Sequence, residues 1–247
     1  TTKDLLLPSG RLMTIREQNG DDDDLLSNLG TQKDLSNQNR FIQSIVVKAD
    51  TKSGKLSNED VDNLLIKDKY FIMFASRIHS MGQIVNFTYK WGEGEPIEYD
   101  DDISKYIWDY SKDFPKKGDE DYYQYMLEPY AAEANSPYTI TLQSGKEITF
   151  ECLKIKDEKA LMAIDQSSMT RNRELLQRNL HIKMQGGELV RVQSFRFFSK
   201  KDMVELNKKI YEIDSPFMPL TEIKNPTSKE VVQFPIISSP SFFFPEE

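Results

Sequence analysis

Apolar and polar positions alternate in the same way twice along this chain. In LLLPSGRLMTIREQNGDDDDLL (5–26), Met13 and Ile15 flank polar Thr14, which is the period of a half-buried strand. Pro8-Ser9-Gly10 before them supplies a tight hairpin turn. A polar loop then leads to a helix with Asn19 or Asp21 as candidate N-cap and aspartates in its first turn, where the helix dipole favours negative charge. ITLQSGKEITFECLKIKDEKAL (140–161) is a weaker copy at an offset of 135, placing Ser9-Gly10 on Ser144-Gly145, Thr14 on Thr149 and Leu26 on Leu161. The expected architecture is α+β with two related halves, each a hairpin followed by helices and a further short hairpin or strand. The boundaries are 1–115, a connecting segment 116–137, and 138–247 with an aromatic tail.

Between the copies, Phe41, Ile42, Ile45 and Val46 fall at helical spacing, ended by the polar stretch from Asp50 to Gly54. Ser57 with an acid three residues on forms a capping box. From Val61 to Met81 apolar residues cover most of the circumference, so the spacing predicts one helix buried on most sides. Ile84 to Trp91 then alternates with period two, and Gly92 to Pro96 turns it back into Ile97-Glu98-Tyr99. Asp100 to Asp102 reads as an acidic turn, Lys112 to Asp121 as a polar loop or hinge, and Tyr122 to Ala134 as a partly helical stretch.

In the second half the spacing predicts helices over 157–164, 172–182 and 201–213, and an extended segment over 188–198. Val231 to Pro235 echoes Ile84 to Thr88. The ending Pro240-Ser241-Phe242-Phe243-Phe244-Pro245 cannot hang free without exposing a sticky patch. It packs back on its own domain or anchors a partner, since aromatic side chains dominate interface hot spots, and the two readings are compatible. Phe242, Phe243 and Phe244, with Trp91 and Trp108, are therefore the candidate partner-binding residues.

The formal net charge of −8 and a pI near 5.0 argue against nucleic acid as the main partner, although Arg171, Arg173, Arg178 and Lys183 cluster in sequence. The single cysteine, Cys152, permits neither an intramolecular disulfide nor a multi-cysteine zinc site. No apolar run reaches the ~20 residues of a membrane span, and the first residues lack the layout of a secretory signal, so the expected place of synthesis is a reducing cytoplasm. The carboxylate runs Asp21 to Asp24 and Asp100 to Asp102 lack the alternating spacing of a calcium loop and read as a solvated helix start and an acidic turn. His79 and His181 have no second histidine at helical spacing. No nucleophile elbow, phosphate loop or dinucleotide fingerprint is present. The expectation is a non-enzyme without catalytic, cofactor or metal residues, against the remote alternative of a metal enzyme built on the aspartate runs.

Leu7-Pro8-Ser9-Gly10 followed by Thr14-Ile15-Arg16-Glu17, the helix start DDDDLLSN (21–28), Asp68-Lys69-Tyr70-Phe71 leading to Arg77-Ile78 and a hairpin, Ser144-Gly145-Lys146 with Lys156 to Lys159, and Phe242-Phe243-Phe244-Pro245 occur in an order that resembles the baseplate hub subunit and hub-assembly proteins of T-even-like contractile-tailed phages. The similarity spans nearly the whole chain through short, non-catalytic motifs. It implies a structural component of the tail baseplate, made in the host bacterial cytoplasm and found in the virion, with hub, tube or tape-measure proteins as partners. A transient assembly chaperone absent from the mature virion is the alternative. Some relatives carry paired cysteines in the hairpin after the long helix; residues 85–97 have none here, so no metal role carries over.

Overall fold

The computed structural model describes residues 1–107, 137–165, 167, 170–214 and 220–245. The fold is α+β, made of helices and several small antiparallel sheets. The expected connecting segment 116–137 except Pro137, Trp108 and the expected helix over 122–134 lie outside the described residues.

The first unit begins with strands β1 (Thr2–Leu6) and β2 (Leu12–Arg16), paired antiparallel from Thr2 opposite Arg16 to Leu6 opposite Leu12. The turn between them is closed by Leu7 N–H to Arg11 O (2.9 Å) and Gly10 N–H to Leu7 O (2.7 Å). Gly10 has φ 87°, a region a Cβ disfavours. Helix α1 (Gly20–Ser27) starts at Asn19, whose side chain accepts from Asp21 N–H while Asp22 returns the bond to Asn19 N–H. The short α2 (Leu29–Gln32) and α3 (Ser36–Ile45) follow.

Here the helical pattern expected through Val46 ends early. Val46–Ala49 forms β3, which pairs with β2. Two adjacent valines favour a pleated strand, and an open strand edge was there to receive it. The capping box at Ser57 and Asp60 opens only a short helix, α4 (Asn58–Asp62). The long helix α5 starts at Ile66 and runs to Met81. The helix is interrupted at Leu64 and Leu65 because the main chain on either side of Leu65 bonds another segment, forming a bridge to Lys154: Ile66 N–H donates to Leu153 O (3.0 Å) and Ile155 N–H to Leu64 O (2.9 Å). As its apolar circumference requires, α5 is buried at every position from Asp68 to Arg77. Arg77 is buried too, and its guanidinium donates to Gly82 O (2.7 Å) and Ile84 O (3.0 Å), fixing the exit from α5. Strands β4 (Ile84–Lys90) and β5 (Pro96–Asp102) form a hairpin continued by a 3₁₀ turn, Ile103–Tyr106. Asp100 to Asp102 thus ends a strand and is not an acidic turn.

The second unit repeats several of these local features. Strands β6 (Tyr138–Thr141) and β7 (Glu147–Phe150) pair around Leu142 N–H to Lys146 O (2.9 Å) and Gly145 N–H to Leu142 O (2.8 Å), with Gly145 at φ 83°. Helices α6 (Ile155–Met162) and α7 (Arg171–Gln177) lead to β8 (His181–Lys183), which pairs with β7 as β3 does with β2. The helix expected over 172–182 therefore stops five residues early and yields a strand. β9 (Leu189–Arg191) extends this sheet at its edge, order β6-β7-β8-β9. Helix α8 (Lys200–Ile213) opens on a Ser199–Asp202 capping box. β10 (Leu220–Lys224), absent from the sequence expectation, pairs with β11 (Val231–Pro235). The hairpin after α8 thus holds the place of the β4–β5 hairpin after α5, and Val231 to Pro235 falls at the second strand of that hairpin, where the sequence echo had put it at the first. A 3₁₀ turn (Ile236–Ser238) and a short helix α9 (Pro240–Phe243) finish the described chain.

Three cores hold this together. The first lies under β1–β3 between α1, α3 and α5 and takes Ile155 from α6. The second packs α7 and α8 on the β6–β9 sheet through Ile148, Phe150, Leu206 and Ile210. The third is shared: Phe74, Val85, Phe87 and Ile103 meet Ile223, Ile236 and Phe242. There the two late hairpins pack on each other, with Phe87 and Phe234 rings 5.2 Å apart and Tyr99 and Tyr106 hydroxyls donating to Lys224 O and Leu220 O (both 3.2 Å). Residues 220–244 accordingly complete a core begun by the first unit.

The units also meet at α5 and α6. The Lys69 ammonium, with no solvent exposure, sits 2.5 Å from Glu158, which also accepts from Tyr70 Oη (2.9 Å). Burial pulls the Lys69 pKa down and Glu158 opposes that pull. Burial also raises the Tyr70 pKa far above the phenol range, with Glu158 adding to it.

Candidate functional site

The five aromatic residues predicted to meet partners divide. Phe242 is fully buried, 4.9 Å from the Phe74 ring centroid, and Phe243 stands edge-on to Phe41 at 6.1 Å. Both rings fill the chain's own core, because Pro240 starts a helical turn that aims them inward. Phe244 alone of the three is exposed. Trp91 is half-buried against Tyr89, and its indole N–H donates to Tyr99 Oη (2.7 Å). Trp108 lies outside the described residues. The tail packs on the chain itself, yet on the first unit's helices, not on the sheet of its own half.

Exposed apolar side chains also occur at Ile84, Met162, Leu220 and Val231, and the most exposed of those described fall between residues 184 and 211. Met184, Leu189, Phe197, Val204 and Tyr211 are each at least half exposed, Phe197 most of all at 73%. β9 places Leu189 and Val190 on an unpaired sheet edge, where unused main-chain N–H and C=O groups are open to another strand. α8 presents a stripe at helical spacing, Lys201, Val204, Lys208 and Tyr211, opposite its buried Leu206 and Ile210. Open grooves of about 720 Å³ and about 610 Å³ run along the two sides of this stripe. On α8 this places apolar Val204 and Tyr211 beside Lys200, Lys201 and Lys208, a mixture that suits protein contact. Sequence reasoning missed it because alternating apolar residues at 188–198 read as strand interior. The one available signal was the density of apolar residues beside the Gly186-Gly187 break.

The buried charged groups among the described residues have partners. Asp22 is fully buried and takes two bonds from Arg16 (2.7 and 2.9 Å) and one from Ser44 (3.0 Å), so part of the expected solvated run is structural. Burial alone would raise the Asp22 pKa; Arg16, Asn19 N–H and Ser44 outweigh it and lower it. Asp21, Asp23 and Asp24 point to solvent. Asp101 is buried and bonded by Lys105, Tyr106 and Thr221. Arg178, from the basic cluster, turns inward to Asp214, and Lys183 pairs with Glu147 (3.0 Å). His79 sits near Thr1, and the His181 ring bonds Asn179 O (2.8 Å). Cys152 is buried and its thiol is pushed up to about 12, chiefly by burial. Among the described residues no three His, Cys, Asp or Glu side chains group to hold a metal ion, and no helix is long and apolar enough to cross a membrane.

The hairpin tips are clamped alike. Ser9 donates through N–H (3.0 Å) and Oγ (2.5 Å) to Asp68 of α5; Ser144 and Lys146 (2.9 Å) hold Asp202 of α8. Asp202 is held well below the usual carboxylate range, first by Ser144, then by Lys146 and Ser199 N–H. A lowered carboxylate pKa means the unfolded chain binds more protons in acid, so this stabilisation is complete above the ordinary value of 3.8 and is lost on further acidification. Thermal unfolding followed from about pH 6 to about pH 2 should show a midpoint that falls steeply below about pH 4. Asp202→Asn should flatten that fall and lower the midpoint at neutral pH. An equally steep fall in the variant would assign the acid sensitivity to other carboxylates, Asp22 first.

Compared with family models, with curated proteins and with solved structures, the chain matches none.

Proposed function

We propose that this chain is a structural subunit of the baseplate hub of a contractile phage tail, working by offering surface to neighbouring tail proteins. The observation that carries the interaction role is the exposure of Met184, Leu189, Phe197, Val204 and Tyr211, each at least half open to solvent within one stretch of the second unit. The tail itself is supported by the order of short motifs, from Leu7-Pro8-Ser9-Gly10 to Phe242-Phe243-Phe244-Pro245, that resembles the hub and hub-assembly proteins. The partners are hub, tube or tape-measure components. The same exposed side chains suit a transient assembly chaperone, which covers a client only until the hub closes. Quantitative mass spectrometry of infected-cell lysate and of purified particles separates the two. A subunit is recovered in both at fixed stoichiometry; a chaperone is found in the lysate and is missing from the particles. Recovery from a lysate only in complexes without tail proteins would end the tail reading altogether.

A further inference from the structure

The exposed face of α8 has a counterpart inside the same molecule, and that counterpart is occupied. α1 and α6 begin at the same place after their hairpins, Gly20–Ser27 and Ile155–Met162 being 135 residues apart at both ends. α5 and α8 begin 134 residues apart, at Ile66 and Lys200, and the same step carries Asp68 onto Asp202, the two carboxylates that clamp the hairpin serines. α5 is covered in part because α6 lies on it, bringing Glu158 to Lys69 and Tyr70, while Lys159 of α6 reaches Asp62 at the end of α4 (2.6 Å). On α8 the position matching Tyr70 is Val204, which is open to solvent; Tyr211, further along the helix and also open, matches Arg77, which on α5 turns to Gly82 O and Ile84 O.

We propose that this face of α8 is a self-association surface that receives α1 of a second copy, as α5 receives α6 within one copy. Charge selects the occupant. α1 presents Asp21, Asp23 and Asp24 to solvent and carries no basic residue; the α8 face presents Lys200, Lys201 and Lys208. Glu205 on the same helix is engaged by Lys209 (3.0 Å) and Gln143 N–H (2.9 Å), and Glu212 stands 4.0 Å from Lys208. The Lys159–Asp62 pair at the rim of the internal contact maps onto Asp24 and Arg196, with the signs exchanged and the attraction kept. Arg196 is exposed and lies over the Phe197 ring at 4.6 Å. Each copy carries one α1 and one α8, so the contact is head-to-tail and builds a ring or an open chain. The neighbour on the α8 face is thus a second copy of this chain, with Met184, Leu189 and Phe197 left for other proteins, and this inference does not depend on the assignment to a phage tail.

Sedimentation velocity on the full chain tests it. Species larger than the monomer should grow with protein concentration and shrink as salt is raised, since exposed charges are screened over about 10 Å at 0.1 M and about 3 Å at 1 M. The triple variants Asp21→Lys/Asp23→Lys/Asp24→Lys and Lys200→Glu/Lys201→Glu/Lys208→Glu should each weaken association roughly tenfold or more. An equimolar mixture of the two should restore it, because reversed faces attract each other. As a check that survives a folding defect in either triple variant, Asp24→Cys mixed with Arg196→Cys should cross-link across copies under mild oxidation, with buried Cys152 silent. A wild-type chain monomeric at every concentration, association indifferent to both reversals, or no cross-link between the two cysteine variants would overturn the proposal.

Discussion

Glu158→Ala is expected to destabilise the chain by about 3–5 kcal/mol, because it leaves a buried ammonium without its partner. Lys69 has no solvent exposure, and Glu158 is its ion-pair partner and also accepts from Tyr70. In a chain of this size each kcal/mol moves the unfolding midpoint by about 2–4 °C, so a drop of roughly 6–20 °C should appear in a calorimetric scan. The triple change Lys69→Met, Tyr70→Phe and Glu158→Leu removes all three polar ends together and should recover most of that loss, since apolar replacement of a whole buried ion pair is often neutral. A single variant that melts like the wild type would mean that water reaches Lys69 and that α5 and α6 are not packed as described.

Phe242→Ala should cost about 3–5 kcal/mol, the range for deleting a fully buried aromatic side chain. Its ring touches Phe74 of α5 and Phe243, which in turn reaches Phe41 of α3, so the loss opens the shared core from the inside. Phe244→Ala, on an exposed side chain, should stay within about 0.5 kcal/mol. Deleting residues 240–247 should match or exceed Phe242→Ala. Urea titration of the three variants checks this order. Equal effects for Phe242 and Phe244 would mean that the tail does not enter the core as a helical turn.

What could be read from the sequence was local. The hairpin at Ser9-Gly10, the caps at Asn19 and Ser57, the span of α8 and the β4–β5 hairpin all follow from signals within a few residues of each other. The short strands β3, β8 and β10 could not be read, because a segment of three to five residues becomes a strand only when a partner edge is waiting. The break at Leu64-Leu65 was hidden for the same reason: its cause, the main chain of Leu153 and Ile155, is distant in sequence. Acidic runs carry no sign of which carboxylate turns inward, so Asp22 and Asp101 looked like their solvated neighbours until Arg16 and Thr221 were placed beside them. The phenylalanine tail was correctly recognised as too apolar to hang free; its direction depended on Phe74 and Phe41, far away in sequence. The exposed apolar side chains of 184–211 were the least legible feature, since an exposed Leu189 and a buried Ile148 look alike in an alternating strand.

The central claim is that residues 184–211 are covered when the chain is at work. Hydrogen–deuterium exchange read by mass spectrometry, comparing the free chain with the chain in purified tail assemblies, addresses it directly. The account requires slowed exchange in the assembly across β9 and the exposed side of α8, with the α5 and α6 junction equally protected in both states. Unchanged exchange over 184–211, with new protection somewhere else on the molecule, would contradict it.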